Sequence, residues 1–208
     1  MLVKFFKLFL ILLTISLGAS FTSCKSGKKE TIVSDAKQNA TFSIEKAASE
    51  INFTAYKFTE KKGVGGQFRH VDVTSGGFGN TIKEAIHNAE FSIPVKSLFT
   101  KDSSRDYKIQ KFFFGVMSDT KLLSGKLMIE NDSIGAAVIK MNGISEKVPF
   151  KYTITDNTFA MNATMDVTNW DALDALASLN KVCEILHTGA DGISKTWSDV
   201  ALNISTKF

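Results

Sequence analysis

Alternation of apolar and polar residues with a period of two is the feature that most constrains the fold of this chain. Such alternation places successive side chains on opposite faces of a β-strand. It is clearest in four segments: 123–129, 134–141, 147–154 and 159–167. The pairs Asn131-Asp132, Asn142-Gly143 and Asp156-Asn157 lie between these segments and are typical of tight turns. The pattern predicts an antiparallel meander of short strands.

Further strands are predicted on both sides of the meander. Ile51, Phe53 and Ala55 alternate with polar residues, and the parity changes after them, which indicates a bulge or a strand end near Lys57. The glycine-rich segment 63–66 predicts a hairpin turn. A phosphate-binding loop fits less well, because the segment lacks the Lys-Ser/Thr ending and the strand-to-helix setting of such loops. The remaining predicted strands are 67–73, 89–95 and 200–204.

Helical spacing interrupts the strands at two places. Ser103 and Asp106 form a predicted capping box, which begins a short helix at about 103–113. A longer amphipathic helix is predicted at about 169–188, either packed over one end of the sheet or acting as a lid. Its apolar positions are Leu173, Leu176, Leu179, Cys183 and Leu186. Residues 81–88 are either a third, short helix or an irregular segment.

The first 23 residues have the pattern of a signal peptide and are excluded from the fold. Lys4 and Lys7 precede an apolar run at 8–17, which is shorter than the ~20 residues of a membrane span. Residues 21–24 resemble a relaxed lipobox, which predicts lipidation of Cys24; ordinary cleavage near Ala19 is the alternative. Residues 24–40 are then a polar tether, and 41–208 form the domain.

This N-terminal pattern predicts a bacterial lipoprotein with a membrane anchor. The residue directly after Cys24 is Lys25 and not Asp, which for such lipoproteins favours the outer membrane, facing the periplasm. A soluble periplasmic or secreted protein is the alternative. Without Lys4 and Lys7 the net charge falls from +4 to +2, and the remaining bases are scattered among acids. Nothing in this distribution indicates a nucleic-acid partner.

No catalytic or metal-binding constellation is evident in the sequence. His70, His87 and His187 lack the partners and the spacing of a metal site, and no Gly-x-Ser-x-Gly nucleophile elbow occurs. Arg105 and Asp106 are adjacent on the predicted helix and therefore point in different directions, so that anchoring a loop fits them better than acid/base chemistry. We predict that the protein is not an enzyme.

The order of several segments resembles the YceI-like family over roughly 41–208. The opening matches in 42–44, 50–55 and 64–68, and the later hairpin matches in 125–129 and 141–150. The middle part is more specific: 91–100, then Arg105-Asp106, Ile109 and the triple Phe at 112–114. Lys111 departs from the acid usual before this Phe run, and the proline expected after the run is absent from 116–123.

This resemblance implies a single all-β domain, an eight-stranded antiparallel lipocalin-like β-barrel, that holds a polyisoprenoid or an isoprenoid quinone tail. The chain has 17 Phe, and small residues at Ala55, Ala137 and Ala163 among Phe and Met side chains would leave an apolar channel in such a barrel. The candidate lipid-binding residues are Phe53, Phe68, Phe91, Ile93, Phe112, Phe113, Ile139, Met141, Phe150, Phe159, Met161 and Met165.

The predicted function is therefore non-catalytic binding and carriage or storage of a long apolar lipid in the bacterial envelope. No cofactor is required, and a bound quinone-like lipid and a homodimer are both compatible with the sequence. The alternative is a barrel with a solid core that acts as an envelope interaction or stress-response module through protein partners. A connected apolar cavity distinguishes the two hypotheses.

Overall fold

The computed structural model describes residues 37–208, and most of them form antiparallel β-structure. Ten strands make one curled sheet in the order β4-β6-β8-β9-β10-β11-β12-β2-β3-β7, while β1 pairs with β5 separately. The strands are β1 Phe42–Ser43, β2 Ala48–Lys57, β3 Lys62–Phe68, β4 Asp72–Ser75, β5 Phe78–Gly79, β6 Glu90–Pro94, β7 Leu98–Phe99, β8 Leu122–Ile129, β9 Ile134–Met141, β10 Ile144–Thr155, β11 Thr158–Asp166 and β12 Asp199–Lys207.

The predicted meander is confirmed in β8 to β11, with strand bounds close to those expected. Met141 pairs with Ile144 across the turn between β9 and β10, where Asn142 and Gly143 have φ of 51° and 75°. Positive φ at both central residues gives a turn whose twist matches that of the strands. Asp156 and Asn157 do the same between β10 and β11, with φ of 47° and 58°.

Ten strands replace the eight continuous strands that the resemblance implied, because two long strands are each interrupted. The first consists of β3 and β4, separated by residues 69–71, and the second consists of β6 and β7, separated by Val95–Ser97. β3 pairs with β7, whereas β4 pairs with β6. The Arg69 N–H donates to the Ser97 carbonyl oxygen over 3.0 Å, so that the two interruptions face each other.

The predicted hairpin turn at 63–66 is wrong, because these residues lie within β3. The turn precedes them, and Phe58 and Lys61 have left-handed φ of 62° and 58°. β2 continues to Lys57 and ends there, so that a strand end and not a bulge explains the parity change. Gly66 serves another purpose: a Cβ there would lie 2.3 Å from Cζ of Phe53, and its absence lets the Phe53 ring cover the neighbouring strand.

Four α-helices connect or cover the strands of the described region. They are α1 Ile82–Ile86, α2 Ser103–Phe112, α3 Leu173–Val182 and α4 Glu184–His187. The capping box predicted at Ser103 is wrong, since the Asp102 side chain caps α2 by accepting from the Arg105 N–H. A true capping box, formed by Thr81 and Glu84, begins α1. None of the described helices is long and apolar enough to cross a bilayer.

The single long helix predicted at about 169–188 is broken in the structure. A 3-10 turn at Val167–Trp170 ends at Asp171, whose φ of 53° is left-handed, and Cys183 separates α3 from α4. The turn directs Trp170 into the core, where its Nε1–H donates to the Ile139 carbonyl oxygen over 2.9 Å. The Asn142 side-chain amide donates to the Trp170 carbonyl oxygen over 2.8 Å and holds the break in place.

Two clusters of buried side chains lie at opposite ends of the curled sheet. One end, which we call the helical end, is covered by α2, α3 and α4, and its cluster is centred on Phe113, Phe114 and Trp170. The other end, which we call the closed end, is covered by α1, β1 and β5. Its buried side chains are Ile82, Ile86, Ala137, Phe150, Tyr152, Phe159 and Met161.

Candidate functional site

An elongated apolar cavity of about 240 Å³ runs through the interior between the two ends of the sheet. Its walls follow from the strand alternation, since every second side chain of a strand faces the same side. The wall residues contributed in this way by four strands are Ile51, Phe53 and Ala55 of β2, Ala137, Ile139 and Met141 of β9, Phe159, Met161 and Met165 of β11, and Val200, Leu202 and Ile204 of β12.

Ten of the twelve residues predicted to bind lipid line this cavity. They are Phe53, Phe68, Phe91, Ile93, Phe113, Ile139, Met141, Phe159, Met161 and Met165. The structure thus brings together residues that are more than 100 positions apart in the sequence. Whether they contact a lipid stays a prediction, because the cavity shows their placement and not their ligand.

Phe112 and Phe150 are not among the cavity-lining residues. Phe112 is the last residue of α2, and its ring packs edge-on against Tyr107, which is exposed, with the ring centroids 6.3 Å apart. Phe150 is buried at the closed end, where its ring packs against Phe159 and Tyr152 at 6.2 Å from each. Phe159 therefore forms the cavity wall there, and Phe150 supports it from behind.

Several wall residues are absent from the predicted set. Ile51, Leu202 and Ile204 share their strand parity with predicted or neighbouring inward positions, so that alternation alone could have identified them. Leu176 and Leu179 of α3 and Phe114 after α2 close the helical end of the cavity. Helical spacing marked the two leucines as apolar, but only the packing of α3 across the sheet turns them toward the cavity.

Few polar side chains line the cavity. Glu90 is one of them, and its carboxylate lies 3.7 Å from Lys126 Nζ; the hydroxyl groups among them are satisfied by hydrogen bonds. Near the closed end the Ser49 and Thr206 hydroxyls bond to each other over 3.0 Å. Near the helical end Thr196 Oγ1 donates to Asn180 Oδ1 over 2.7 Å. Because that hydroxyl has only one hydrogen, His187 Nδ1, which is 2.7 Å away, donates to Thr196.

The ionisation of the groups behind the helical end is set mainly by burial. Burial, together with the positive charges of Lys57, Lys108 and Arg105, lowers the pKa of His187 from 6.5 to about 4. Burial likewise raises the pKa of the Cys183 thiol. Near neutral pH both groups are uncharged, as their contact with an apolar interior requires.

The Thr196 hydroxyl lies beside the His187 imidazole, but it donates its hydrogen to Asn180 and accepts from His187, so that the imidazole does not serve it as a base. Residues 37–208 contain no group of three or more His, Cys, Asp or Glu side chains placed to hold a metal ion. His70 is exposed and lies 3.0 Å from the Asp72 carboxylate, and His87 Nδ1 accepts the Ile129 N–H. What the cavity offers is apolar surface and shape.

A curled antiparallel sheet around an elongated apolar cavity defines the class of β-proteins that can enclose an apolar ligand. The family comparison is consistent with this class. The YceI-like domain matches residues 42–208, and the chain therefore belongs to the YceI-like family, as the sequence resemblance predicted. No curated protein matched the chain.

One solved structure supports the fold at low sequence identity, and two further ones are similar to a lesser degree. A polyisoprenoid binding domain from Saccharophagus degradans superposes with a TM-score of 0.55 at 10% identity, covering 81% of this chain and 94% of that one. Burkholderia cenocepacia BcnA gives a TM-score of 0.49 at 10% identity, covering 79% and 98%. The Campylobacter jejuni YceI protein gives 0.48 at 16%, covering 72% and 86%. At 10% identity, the likeness to the Saccharophagus degradans domain concerns the fold alone.

Proposed function

We propose that this protein binds and carries or stores a long apolar lipid, of the polyisoprenoid or isoprenoid quinone class, without catalysing a reaction. The observation that carries the proposal is the connected apolar cavity of about 240 Å³ that runs between the two ends of the sheet. The name of the Saccharophagus degradans relative, a polyisoprenoid binding domain, supports the same ligand class.

The physical driving force for such binding is the removal of hydrocarbon from water. Each CH₂ group that leaves water contributes ~0.8 kcal/mol, so that a few isoprene units offset the translational and conformational costs of association. No polar contact to the ligand is needed. Met141, Met161 and Met165 lie along the wall, and their flexible thioether side chains can repack around chains of different length.

A location in the bacterial envelope is part of the proposal. The predicted signal peptide, the predicted lipidation site Cys24 and most of the predicted polar tether lie outside the described residues 37–208. An acyl anchor on Cys24 would hold the domain at a membrane, and our proposal places it at the outer membrane facing the periplasm. With this one anchor, the domain would carry its lipid between the membrane and the periplasmic space.

The alternative function, an interaction or stress-response module with a solid core, predicts a sheet filled by its own side chains. The cavity argues against that packing, because its wall residues belong to strands that face one another across open space. Lipid carriage is therefore the better supported function.

Lipid extraction tests the proposal directly. Residues 1–24 are replaced by a cleavable export signal, the protein is purified from a bacterial periplasm, and an organic extract is analysed by mass spectrometry. We expect a stoichiometric apolar lipid of the isoprenoid class. If repeated preparations, including one from the native host, contain no such lipid, the proposal fails.

A matched pair of variants ties the lipid to the cavity. Ala137 is buried and lines the cavity, so that Ala137→Phe should fill it and remove the lipid. Ala160→Phe makes the same change at a position of β11 that is not in the cavity wall and should leave the lipid bound. Thermal unfolding confirms that both variants fold. Equal lipid content in folded Ala137→Phe and Ala160→Phe would contradict the cavity as the binding site.

A further inference from the structure

A cluster of exposed aliphatic side chains protrudes from the helical end. Ile185 of α4 is 92% exposed, and Leu186 and Ile193 are 55% and 54% exposed. We call these three residues the apolar tip. Large aliphatic side chains grouped at one protruding site are unusual on a soluble surface and commonly mark a binding surface.

Hydrogen bonds build the segment that carries the apolar tip. The Lys195 N–H donates to the His187 carbonyl oxygen over 3.1 Å, and the Gly189 N–H donates to the Ile193 carbonyl oxygen over 3.1 Å. Thr188 and Ser194 form an isolated β-bridge. α4 and the following hairpin are thus one ordered unit, which presents the tip at a defined position.

The apolar tip lies directly over the helical end of the cavity. His187, the residue after Leu186, bonds to Thr196, and Thr196 and Trp197 are cavity-lining residues. Leu179, four residues before Cys183, lines the same end. Only the helix pair and the short network of Asn180, Thr196 and His187 separate the tip from the interior.

Positive charges surround the apolar tip. Lys57 Nζ donates to the Leu186 carbonyl oxygen over 2.8 Å, and Lys195 Nζ lies 4.0 Å from the centre of the Trp197 ring. Lys108 is half-buried and forms no ion pair with any residue in 37–208. Three acids lie near the tip: Glu184, Asp191, which accepts a hydrogen bond from Thr59, and Glu60, whose carboxylate faces Gly189 of the hairpin.

We propose that the apolar tip docks on the surface of a bilayer that contains anionic lipids. Ile185, Leu186 and Ile193 enter the interface between headgroups and acyl chains, while Lys57, Lys108 and Lys195 contact the headgroups. Trp197 with its lysine neighbours has the amphipathic character of residues at membrane interfaces. The docking proposal rests on the proposed function in one respect: it makes the helical end the place where the bound lipid enters and leaves the cavity.

A bilayer fits the apolar tip better than a protein partner does. A stable protein interface buries about 800 Å² on each side, whereas here three aliphatic side chains protrude from a short helix and a hairpin. Such a protrusion can insert into a fluid surface without a complementary pocket. Lys57, Lys108 and Lys195 form no ion pair with a carboxylate of residues 37–208, and these cations match anionic headgroups, which are abundant on one continuous surface.

Vesicle co-sedimentation tests the docking surface. A chain beginning at residue 24 with Cys24→Ser is used, because both core clusters and the family match lie within 42–208. We expect it to sediment with vesicles of phosphatidylethanolamine and phosphatidylglycerol and much less with phosphatidylcholine alone. The double variant Ile185→Ser/Leu186→Ser should bind about tenfold more weakly, since two inserted apolar side chains are lost.

Control variants separate the tip from general effects. Ile134→Ser removes an exposed isoleucine at the start of β9, near the closed end, and should bind vesicles as the parent chain does. Lys57→Gln/Lys108→Gln should weaken binding to the anionic vesicles alone and lower its salt dependence. Circular dichroism confirms that each variant is folded.

Several outcomes would overturn the docking proposal. They are an absence of vesicle binding, equal binding to neutral vesicles, unchanged binding of the serine double variant, and equal weakening by Ile134→Ser. Self-association that the double variant abolishes, without vesicle binding, would assign the tip to a second copy of the chain. The cargo test is independent: vesicle binding without an extractable lipid rejects carriage, and lipid without vesicle binding rejects docking.

Discussion

The closed end and the helical end of the sheet are built in different ways. At the closed end, α1 buries Ile82 and Ile86, and the Tyr152 hydroxyl donates to the Asn131 carbonyl oxygen over 2.6 Å. The Phe42 ring packs edge-on against Phe208, with the centroids 5.6 Å apart. At the helical end, a 3-10 turn and the helices α2, α3 and α4 cover the cavity, and α4 presents aliphatic side chains to solvent.

This difference indicates that the two ends of the sheet differ in how easily they open. Local opening of the closed end should be costly, since the apolar side chains of α1 are buried and a capping box stabilises the first turn of that helix. At the helical end the covering segments are separated by breaks at Asp171 and Cys183. α4 buries no side chain, and an element with few buried contacts opens locally at low cost. Under the proposed function, we expect the lipid to enter beside α4.

The largest expected effect comes from the residue that anchors the helical end. Trp170 is 0% exposed, and its Nε1–H bonds to the Ile139 carbonyl oxygen. Trp170→Ala should lower the free energy of unfolding by about 3–5 kcal/mol, as measured by urea denaturation. Leu173→Ala, at a nearby position that is 59% exposed, should change it by less than about 0.5 kcal/mol. Similar losses in the two variants would contradict the anchoring role.

A smaller effect, dependent on pH, should also be confined to the helical end. The pKa of His187 falls from 6.5 to about 4 on folding, mainly through burial, so that the unfolded chain binds more protons between these values. This contribution to stability is complete above pH 6.5 and is lost as the pH falls toward 4, by about 1–3 kcal/mol.

The measurement is chemical denaturation at a series of pH values. His187→Gln should flatten the stability profile between pH 6.5 and 4, whereas Leu173→Ala, which removes no titratable group from the same end, should leave its slope unchanged. Hydrogen exchange should show that the amides of α3 and α4 lose protection first on acidification. An unaltered slope in His187→Gln would exclude His187 as the cause.

The capping box of α1 gives an effect of about 1 kcal/mol at the closed end. Thr81→Ala removes the side chain that accepts the Glu84 N–H, and loss of an N-cap typically costs about 1 kcal/mol. Ser103→Ala at the start of α2 should cost less, since Asp102 and not Ser103 caps that helix. Thermal melts of the two variants compare them, and a larger loss in Ser103→Ala would show that this assignment is wrong.

The smallest effect is expected from the ion pair that links α1 to the turn between β8 and β9. Lys83 Nζ lies 2.6 Å from Asp132 Oδ1, and both groups are largely in contact with solvent. Exposed pairs of this kind contribute little and are screened by salt. Lys83→Met should change the melting temperature only slightly at low salt and not at all at high salt. A loss that persists at high salt would contradict a purely electrostatic role of the Lys83 ammonium group.

Local patterns predicted most of the strands because their physical basis is local. Alternation over a few residues is enough to place Ala137, Ile139 and Met141 on one face of a strand. Asn142 and Gly143 provide the positive φ of a tight turn. These facts need no knowledge of distant contacts. They also explain why most of the predicted residues line the cavity, since every second residue of a strand faces the side that the sheet encloses.

Other predictions failed where the outcome depended on a neighbouring element. Gly63–Gly66 has the composition of a turn, yet Gly66 lies in a strand because the Phe53 ring needs the space that its missing Cβ leaves. Leu186 continues the apolar spacing of the predicted long helix, but the break at Cys183 turns it outward. Phe112 belongs to a Phe run, and only its position at the end of α2 removes it from the cavity.

The sequence by itself determined which residues alternate, where the tight turns lie, and that the domain belongs to the YceI-like family. Tertiary structure alone decided that two strands are interrupted at 69–71 and Val95–Ser97, that Trp170 plugs the helical end, and that Phe150 supports the cavity wall instead of lining it. The physical reason is the range of the forces involved. Backbone preference acts between neighbours, whereas closure of a sheet and the filling of its interior depend on side chains that meet only after the chain has folded.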